Sequence, residues 1–430
     1  MYDWANSAFV LVIITAVFPI YYQRVAAGGL NPDTATAWFG WATSIALAIV
    51  AVLSPVLGAW ADFLAVRKRM MATAIVIGVL ATGCLYFIGR EDWIAALLLF
   101  SLGNIGLSVS FVFYDSLLPH IARDDEMDRV SSAGYAIGYL GSALLLMLNL
   151  WWIESPEAFG IADSGAATRL SFLSVAIWWG VFSIPMFRRV AEPPRVLEAG
   201  EAKLGSAVQG TLRRLRTTLA DLHGAHRQAL LALVAMFVYN DGIGTVIRMA
   251  AIYASAIGIP EQHVIIAILL VQLVGVPFSF LFGWLADRIG TRASLMIGLI
   301  VYTIISVVAY SMTTTTEFYI LAILVATVQG GTQALSRSLY ASMIPKHKAS
   351  EFFGFYSVFD KVSGIFGPMI FSLIIVIAGS TRSAILSVIA FFVIGALILS
   401  RVKVAEGQRQ AREAEEQLLP SPDVQPTTPA

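Results

Sequence analysis

Twelve long apolar runs constrain this chain more than any other feature of it. They cover about 3–23, 36–60, 71–89, 93–117, 131–153, 169–187, 229–257, 263–286, 293–311, 317–342, 353–378 and 381–400. About 20 apolar residues in helix cross the hydrocarbon of a bilayer. None of the runs alternates with the period of two that a membrane strand needs, so each is expected to be a membrane-spanning helix. Composition excludes a soluble chain: 58% of the 430 residues are hydrophobic and only 13% are charged, against roughly 25% charged in soluble domains. Net charge is zero, so no basic surplus points to nucleic acid. The single cysteine, Cys84, lies in an apolar run and reads as packing. The first run carries Asp3 and Asn6 where a secretory signal would carry lysine or arginine, so it is expected to be a retained span.

Lysine and arginine give the orientation. With both termini inside, 21 of them fall in cytoplasmic segments and 4 in external loops, the remaining three, Arg248, Arg337 and Lys361, lying within spans. Cytoplasmic loops of membrane proteins carry this excess. The longest loop, 188–228, divides the chain into an N-terminal six-helix bundle (1–187) and a C-terminal one (229–400), with a cytoplasmic tail at 401–430. Within the loop Leu204, Val208, Leu212, Leu215, Leu219 and Leu222 recur every three or four residues, with Arg213, Arg214 and Arg216 between them. That pattern predicts an amphipathic linker helix lying on the inner membrane surface. His223 and His226 beyond it read as solvated loop. The tail is polar and then proline-rich (Pro420, Pro422, Pro426, Pro429), and is expected to be disordered.

The halves repeat one another. Gly58, Asp62 and Arg67 form G-x-x-x-D-x-x-x-x-R, and Gly283, Asp287 and Arg292 form it again at an offset of 225. "YDSLLP" at 114–119 matches "YASMIP" at 340–345, and Gly138-x-x-Gly141 matches Gly364-x-x-Gly367, both at an offset of 226. Three ordered matches predict an all-α membrane protein of twelve transmembrane helices in two pseudo-symmetric six-helix bundles. Parallel repeats of this kind build alternating-access transporters.

The duplicated G-x-x-x-D-x-x-x-x-R stretch resembles the loop signature of the major facilitator superfamily. "YDWANSAF" (2–9), "YNDGIGTV" (239–246), "GGTQALSRS" (330–338) and "EFFGFYSVFDKVSGIFGP" (351–368) narrow the resemblance. They are similar to the subfamily of autophagy-related vacuolar amino-acid exporters and their bacterial relatives, over residues 2 to about 400. The resemblance implies that spans one, four, seven and ten line a central cavity, and that span two packs beside the cytoplasmic start of span eleven. A carboxylate at a helix C-terminus is repelled by the dipole. Asp62 is therefore expected to cap span eleven near Glu351–Gly354, with Arg67 orienting it, and the repeat places Asp287 at the start of span five near Ser131. Such contacts exist only when the inner gate is shut. Against this stands plain topology, charge at a membrane edge. The glycine stripes Gly134, Gly138, Gly141 and Gly364, Gly367 read as helix packing between the halves.

Polar groups inside the spans are costly, at least ~2.5–3.5 kcal/mol for a charge at mid-membrane, and so mark candidate function. Asp241, Thr245 and Arg248 share one face of span seven. They could hold the two charges of a zwitterion, or pair with other helices and hold the bundle together. Gln329, Gln333 and Arg337 share a face of span ten with Tyr340. In span four Asn104, Ser108 and Asp115 stripe one face with Phe111, and Asn104 and Ser108 match Gln329 and Gln333 at an offset of 225. Asp360 and Lys361 in span eleven, with Arg337, read first as a salt-bridge network and second as a substrate site. Asp3 and Asn6, at i and i+3, face the cavity from span one, or else Asp3 is an N-terminal cap and Asn6 incidental. Asp241 and Asp115 are the candidate proton carriers.

No phosphate-binding loop, metal-binding His-Glu-x-x-His or catalytic set occurs, so no enzyme activity, cofactor or metal is expected. The sequence predicts a secondary transporter of a small polar or zwitterionic solute, with amino-acid efflux implied by the resemblance, coupled to protons and working by alternating access. Its partners are the solute, protons and the lipid bilayer, and it is expected to be a monomer in a bacterial inner membrane. The alternatives are an exporter of amphipathic compounds or lipids, which needs a mostly apolar cavity, and a membrane sensor that binds a solute without moving it.

Overall fold

The structure is a computed structural model and describes residues 1–196, 207–256, 258–378 and 381–417. Among the described residues, eleven helices are long and apolar enough to cross a membrane: Tyr2–Ala26, Pro32–Leu64, Arg67–Phe87, Trp93–Ile121, Met127–Glu154, Ser164–Arg189, Arg227–Arg248, Gln262–Ile289, Thr291–Ser311, Thr315–Ala341 and Lys346–Ile377. They are spans one to eleven, and Thr381–Ser400 is span twelve, 20 residues long. Local chemistry sets several ends. Asn31 caps span two by accepting from the Asp33 N–H at 2.9 Å, with Pro32 at the first helical position. Asp163 caps span six through the Ala166 N–H at 2.7 Å. Thr314 and Glu317 form a reciprocal capping box at span ten. Gly290, at φ +89°, makes the turn between spans eight and nine.

The two halves are built alike inside. In the first, the Tyr2 hydroxyl of span one meets Ser110 Oγ of span four at 2.5 Å. In the second, Tyr239 of span seven meets Ser336 Oγ of span ten at the same 2.5 Å. The two serines stand at an offset of 226, so these pairs fix the structural register between the repeats. Between the halves, span two runs along span eleven and span five along span eight. The first crossing brings backbone onto backbone: a Cβ on Gly58 would strike the Ser350 carbonyl, and one on Gly354 would meet Pro55 Cα at 2.7 Å.

The linker helix, Ala207–His223, packs on the protein while turning its apolar row outward. Val208, Leu212 and Leu219 point outward at 64%, 53% and 49% exposure, while Thr211, Arg214, Thr218 and Leu222 are buried against the protein. Leu204 lies outside the described residues. The polar face docks because span eleven presents a buried carboxylate, Glu351, that needs a partner. His226 is not solvated either: it is buried, edge-on to Phe352 with ring centroids 5.3 Å apart. Burial pushes its pKa down to about 4, so it sits there as neutral imidazole.

The tail departs from expectation as well. Residues 404–416 form a helix, Val404–Glu416. It buries Gly407 against Met343, and Glu415 accepts from the Lys346 N–H at 2.8 Å. An Ala-, Glu-, Gln- and Arg-rich stretch is a strong helix former, and the Arg409–Glu413 pair at i, i+4 adds to it. The four prolines expected to be disordered lie outside the described residues.

Candidate functional site

A cavity of about 500 Å³ lies between the halves and reaches Val264 and Phe318, at the ends of spans eight and ten away from the linker helix. Asp3, Asn6 and Ser7 of span one line it from one half, and Asn240 and Thr245 of span seven from the other. Span one is widened over Phe9–Ala16, where the Val17 N–H reaches back to Val12 at 2.9 Å, five residues away. Such widening re-aims side chains and is frequent at functional sites. Gln329 and Gln333 line the cavity from span ten, and both bond the Tyr139 hydroxyl of span five at 3.3 Å. Asp360 joins them from span eleven. It accepts from Asn240 Nδ2 at 3.0 Å and pairs with Lys361 at 2.9 Å.

Beneath the cavity, toward the linker, sits a buried ionic knot. Arg337 meets Asp115 at 3.1 Å and Asp3 at 3.5 Å. Its Nε donates to Ser131 Oγ at 2.9 Å, and its guanidinium lies 4.8 Å from the centre of the Tyr135 ring. Tyr114 donates to Asp3. One guanidinium thus faces two carboxylates drawn from spans one and four.

A second layer closes the linker end. Asp62 pairs with Arg67 at 2.6 Å and accepts from the Glu351 N–H at 3.0 Å, so it caps the N-terminus of span eleven. Arg67 reaches onward to His120 at 2.5 Å and to the carbonyls of Lys346 and His347. The Glu351 carboxylate turns the other way, to Arg214 at 3.1 Å and to the Thr218 hydroxyl, both on the linker helix. Lys348 pairs with Asp221 at 2.9 Å.

The second copy of the motif is arranged differently. Asp287 pairs with the Arg129 side chain of span five at 2.6 Å. Gly283 lies against Ser132. Arg292 does not orient Asp287: it donates to the Val402 carbonyl at 2.8 Å and to that of Ser400 at 3.4 Å, satisfying the end of span twelve.

Several expected site residues lie elsewhere. Asp241 is buried and, unlike its neighbour Thr245, is not part of the cavity wall. Its Oδ1 accepts from the Gly367 N–H at 2.9 Å, and Arg248 donates to the Gly364 carbonyl at 2.9 Å. Pro368 has no N–H to offer that carbonyl, so span seven braces span eleven at its proline. Asp241 and Arg248 are not paired with each other. Asn104 and Ser108 face one another at 3.5 Å, away from the cavity, and Phe111 is the residue of span four that lines it. The serine pairs explain this. The true offset in span four is 226, so Asn104 and Ser108 correspond to Gly330 and Ala334 rather than to the glutamines. One residue of helix turns a side chain by about 100°.

Sequence reasoning missed Tyr135, Tyr139, Asn240 and Arg214. The tyrosines stand at i and i+4 on the glycine-striped span, and Asn240 follows Tyr239 as Asp3 follows Tyr2. Both signals were available.

Helices arranged in this way occur in known transporters. The proton:xylose symporter XylE shares the fold with a TM-score of 0.68 and 15% identity over 96% of each chain. The transporter FucP in its outward conformation does so at 0.67 and 11% identity, over 93% of this chain and 98% of its own. Sequence decides the family: a family model described as vacuole effluxer Atg22 like matches residues 34–412. The chain belongs to the Atg22-like family of the major facilitator superfamily. Among its Atg22-like and bacterial relatives, the uncharacterized MFS-type transporter YxiO of Bacillus subtilis is 39% identical over 410 residues, 94% of this chain and 93% of that one. Autophagy-related protein 22-1 of Phaeosphaeria nodorum is 25% identical over 456 residues, 89% of this chain and 79% of its own. The Atg22-like chain is therefore a multi-pass membrane transporter of a small-molecule solute.

Proposed function

We propose that this transporter moves a small polar or zwitterionic solute, an amino acid leaving the cell, by alternating access coupled to protons. The observation that carries the reading is the cavity itself. It is walled off at the linker end by two ionic layers, and amide, hydroxyl and carboxylate groups from both halves stand in a lining that is otherwise mostly apolar. The vacuole effluxer description of the family supports movement of a solute out of a membrane-bounded compartment. The lysine and arginine excess at the linker end supports a cytoplasmic location for that end and for both termini. The gate then stands shut toward the cytoplasm and the cavity open outward. The chain acts as a monomer in a bacterial inner membrane.

The ionic knot supplies a proton site. Arg337 neutralises one of Asp3 and Asp115, and the remaining negative charge is the place where a proton binds. Asp115 is the carrier in this scheme, and Asp241 serves to brace span eleven instead. The outer cavity wall, with Val264, Val271, Leu321 and Val388, is apolar. It favours a solute with an apolar side group, and it is the observation behind a second reading, export of amphipathic compounds.

A thermal-shift screen of amino acids and amphipathic amines on purified protein, followed by flux of the hits in proteoliposomes at two pH values, tests the reading. The expected result is pH-gradient-driven amino-acid flux that Asp115→Asn abolishes while exchange of solute for solute persists. Binding without any flux would leave a sensor, and flux indifferent to pH would remove the proton.

A further inference from the structure

The linker helix has two faces of different chemistry, a polar one buried on the protein and an apolar one exposed. Its inner face closes over Glu351: Arg214 pairs with it at 3.1 Å with both side chains fully buried, Thr218 donates to its other oxygen, and Arg214 also holds the Val196 carbonyl at 2.8 Å. Gly210 lies against the Phe63 ring at the end of span two, and Phe63 packs beneath the Arg214 guanidinium at 5.7 Å. The helix thus touches both partners of the gate crossing, span two and span eleven, at the place where Asp62 caps span eleven. Its outer face presents the apolar row Val208, Leu212 and Leu219 with exposed Arg213 and Arg216 alongside. The helix lies beside the linker-side ends of spans two and eleven, next to Phe63 and Glu351. An apolar row flanked by arginines at those ends fits one surface, a leaflet carrying anionic headgroups.

We infer that the linker helix is a lipid-seated bolt: anionic lipid holds its outer face, its inner face holds Glu351, and together they keep the gate at the linker end shut. For that end to open, span eleven must part from span two, and Glu351 must then leave Arg214 or take the helix with it. A buried carboxylate does not part from its guanidinium without loss, so whatever seats the helix also weights the closed state. The inference goes beyond transport itself. It rests on the two-state reading of this gate and names no solute.

The test reads gate distance directly. Spin labels are placed at Arg69→Cys and Arg401→Cys, exposed positions on opposite halves at this end, in a Cys84→Ser background. The full-length protein is reconstituted in phosphatidylcholine vesicles with and without phosphatidylglycerol. Phosphatidylglycerol is expected to raise the short-distance, closed population, by a few-fold for each arginine that meets the surface. Arg213→Gln with Arg216→Gln should erase that lipid dependence and leave the Arg214 contact intact. Arg214→Ala should move the population toward open by roughly tenfold or more in both vesicles. Thr218→Val, a milder change, should move it in the same direction if Arg214→Ala fails to fold. Two distances whose weights ignore both phosphatidylglycerol and Arg214 overturn the bolt while leaving alternation standing. One distance in every sample overturns both. Binding that responds equally to free glycerol phosphate moves the recognition from the leaflet to a soluble anion and overturns the membrane seat.

Discussion

The two copies of the G-x-x-x-D-x-x-x-x-R motif share spacing and differ in almost everything that spacing was expected to produce. In the first, Asp62 and Arg67 have side chains 0% and 4% exposed, and Asp62 caps a helix. In the second, Asp287 and its partner Arg129 are 24% and 65% exposed, and Arg292 has gone to the end of span twelve. Position 351, whose N–H Asp62 receives, corresponds through the serine-pair register to Asp125. There the carboxylate makes a surface pair with Arg123 at 3.6 Å. A chain with two halves has one linker between them, and the linker helix covers one copy only. Duplication supplied two equal motifs, and the single connection left one of them a buried contact and the other at the surface.

The comparison breaks if the two aspartates matter equally. Asp62→Ala leaves the Arg67 guanidinium buried without its partner, a loss of about 3–5 kcal/mol. Asp287→Ala removes a solvated pair worth about 0–1 kcal/mol. Thermal melting of the purified protein should separate them clearly, with the Asp62 variant melting far lower. The glycines sharpen the contrast. Gly58→Ala drives a methyl into the Ser350 carbonyl, an obstacle of helix backbone, and should cost about 1–3 kcal/mol or more. Gly283→Ala meets one serine side chain and should cost less. Equal melting shifts for the two alanines would show that both crossings are equally tight.

The repeats should behave more nearly alike where the linker does not reach. Tyr239→Phe removes one buried hydrogen bond, to Ser336, while Tyr2→Phe removes the matching bond to Ser110 and also leaves Trp179 Nε1, which donates to the Tyr2 hydroxyl at 3.3 Å, without that acceptor. Tyr239→Phe should lower stability by about 1 kcal/mol in chemical denaturation and Tyr2→Phe by about 1 kcal/mol more, the cost of the orphaned Trp179 N–H; a loss at Tyr239 larger than at Tyr2 would deny the likeness of the halves. The smallest effect is that of salt. Raising ionic strength should remove what little the Arg129–Asp287 pair contributes and leave the Asp62–Arg67 pair untouched, so melting of Asp287→Ala and of the parent should converge.

Much of this was legible in residues. Run lengths gave the spans, and the G-x-x-x-D spacing at a helix end gave the Asp62 contact with the start of span eleven, because a carboxylate there needs a donor. The role of Arg214 was not legible. A helix with leucines on one face and arginines on the other says which faces exist, not which arginine of the polar face meets a buried carboxylate. Span four misleads for a smaller reason: its polar stripe matches that of span ten at an offset of 225, whereas the YDSLLP–YASMIP match and the Tyr–Ser contacts both put the register there at 226. Asp241 and Arg248 looked like ligands because charge in a span implies function. The missing N–H of Pro368, four residues beyond Gly364, was the clue that backbone groups of span eleven would claim them.

That brace has a mechanical meaning. At Gly364 and Gly367, backbone groups of span eleven are satisfied by atoms lent by span seven, so the satisfaction of its backbone there is borrowed. The two fit together as a crank and its pin: a rotation of span seven would withdraw Asp241 and Arg248 and leave the Gly364 carbonyl and the Gly367 N–H without these partners, while the start of span eleven is held separately by Asp62.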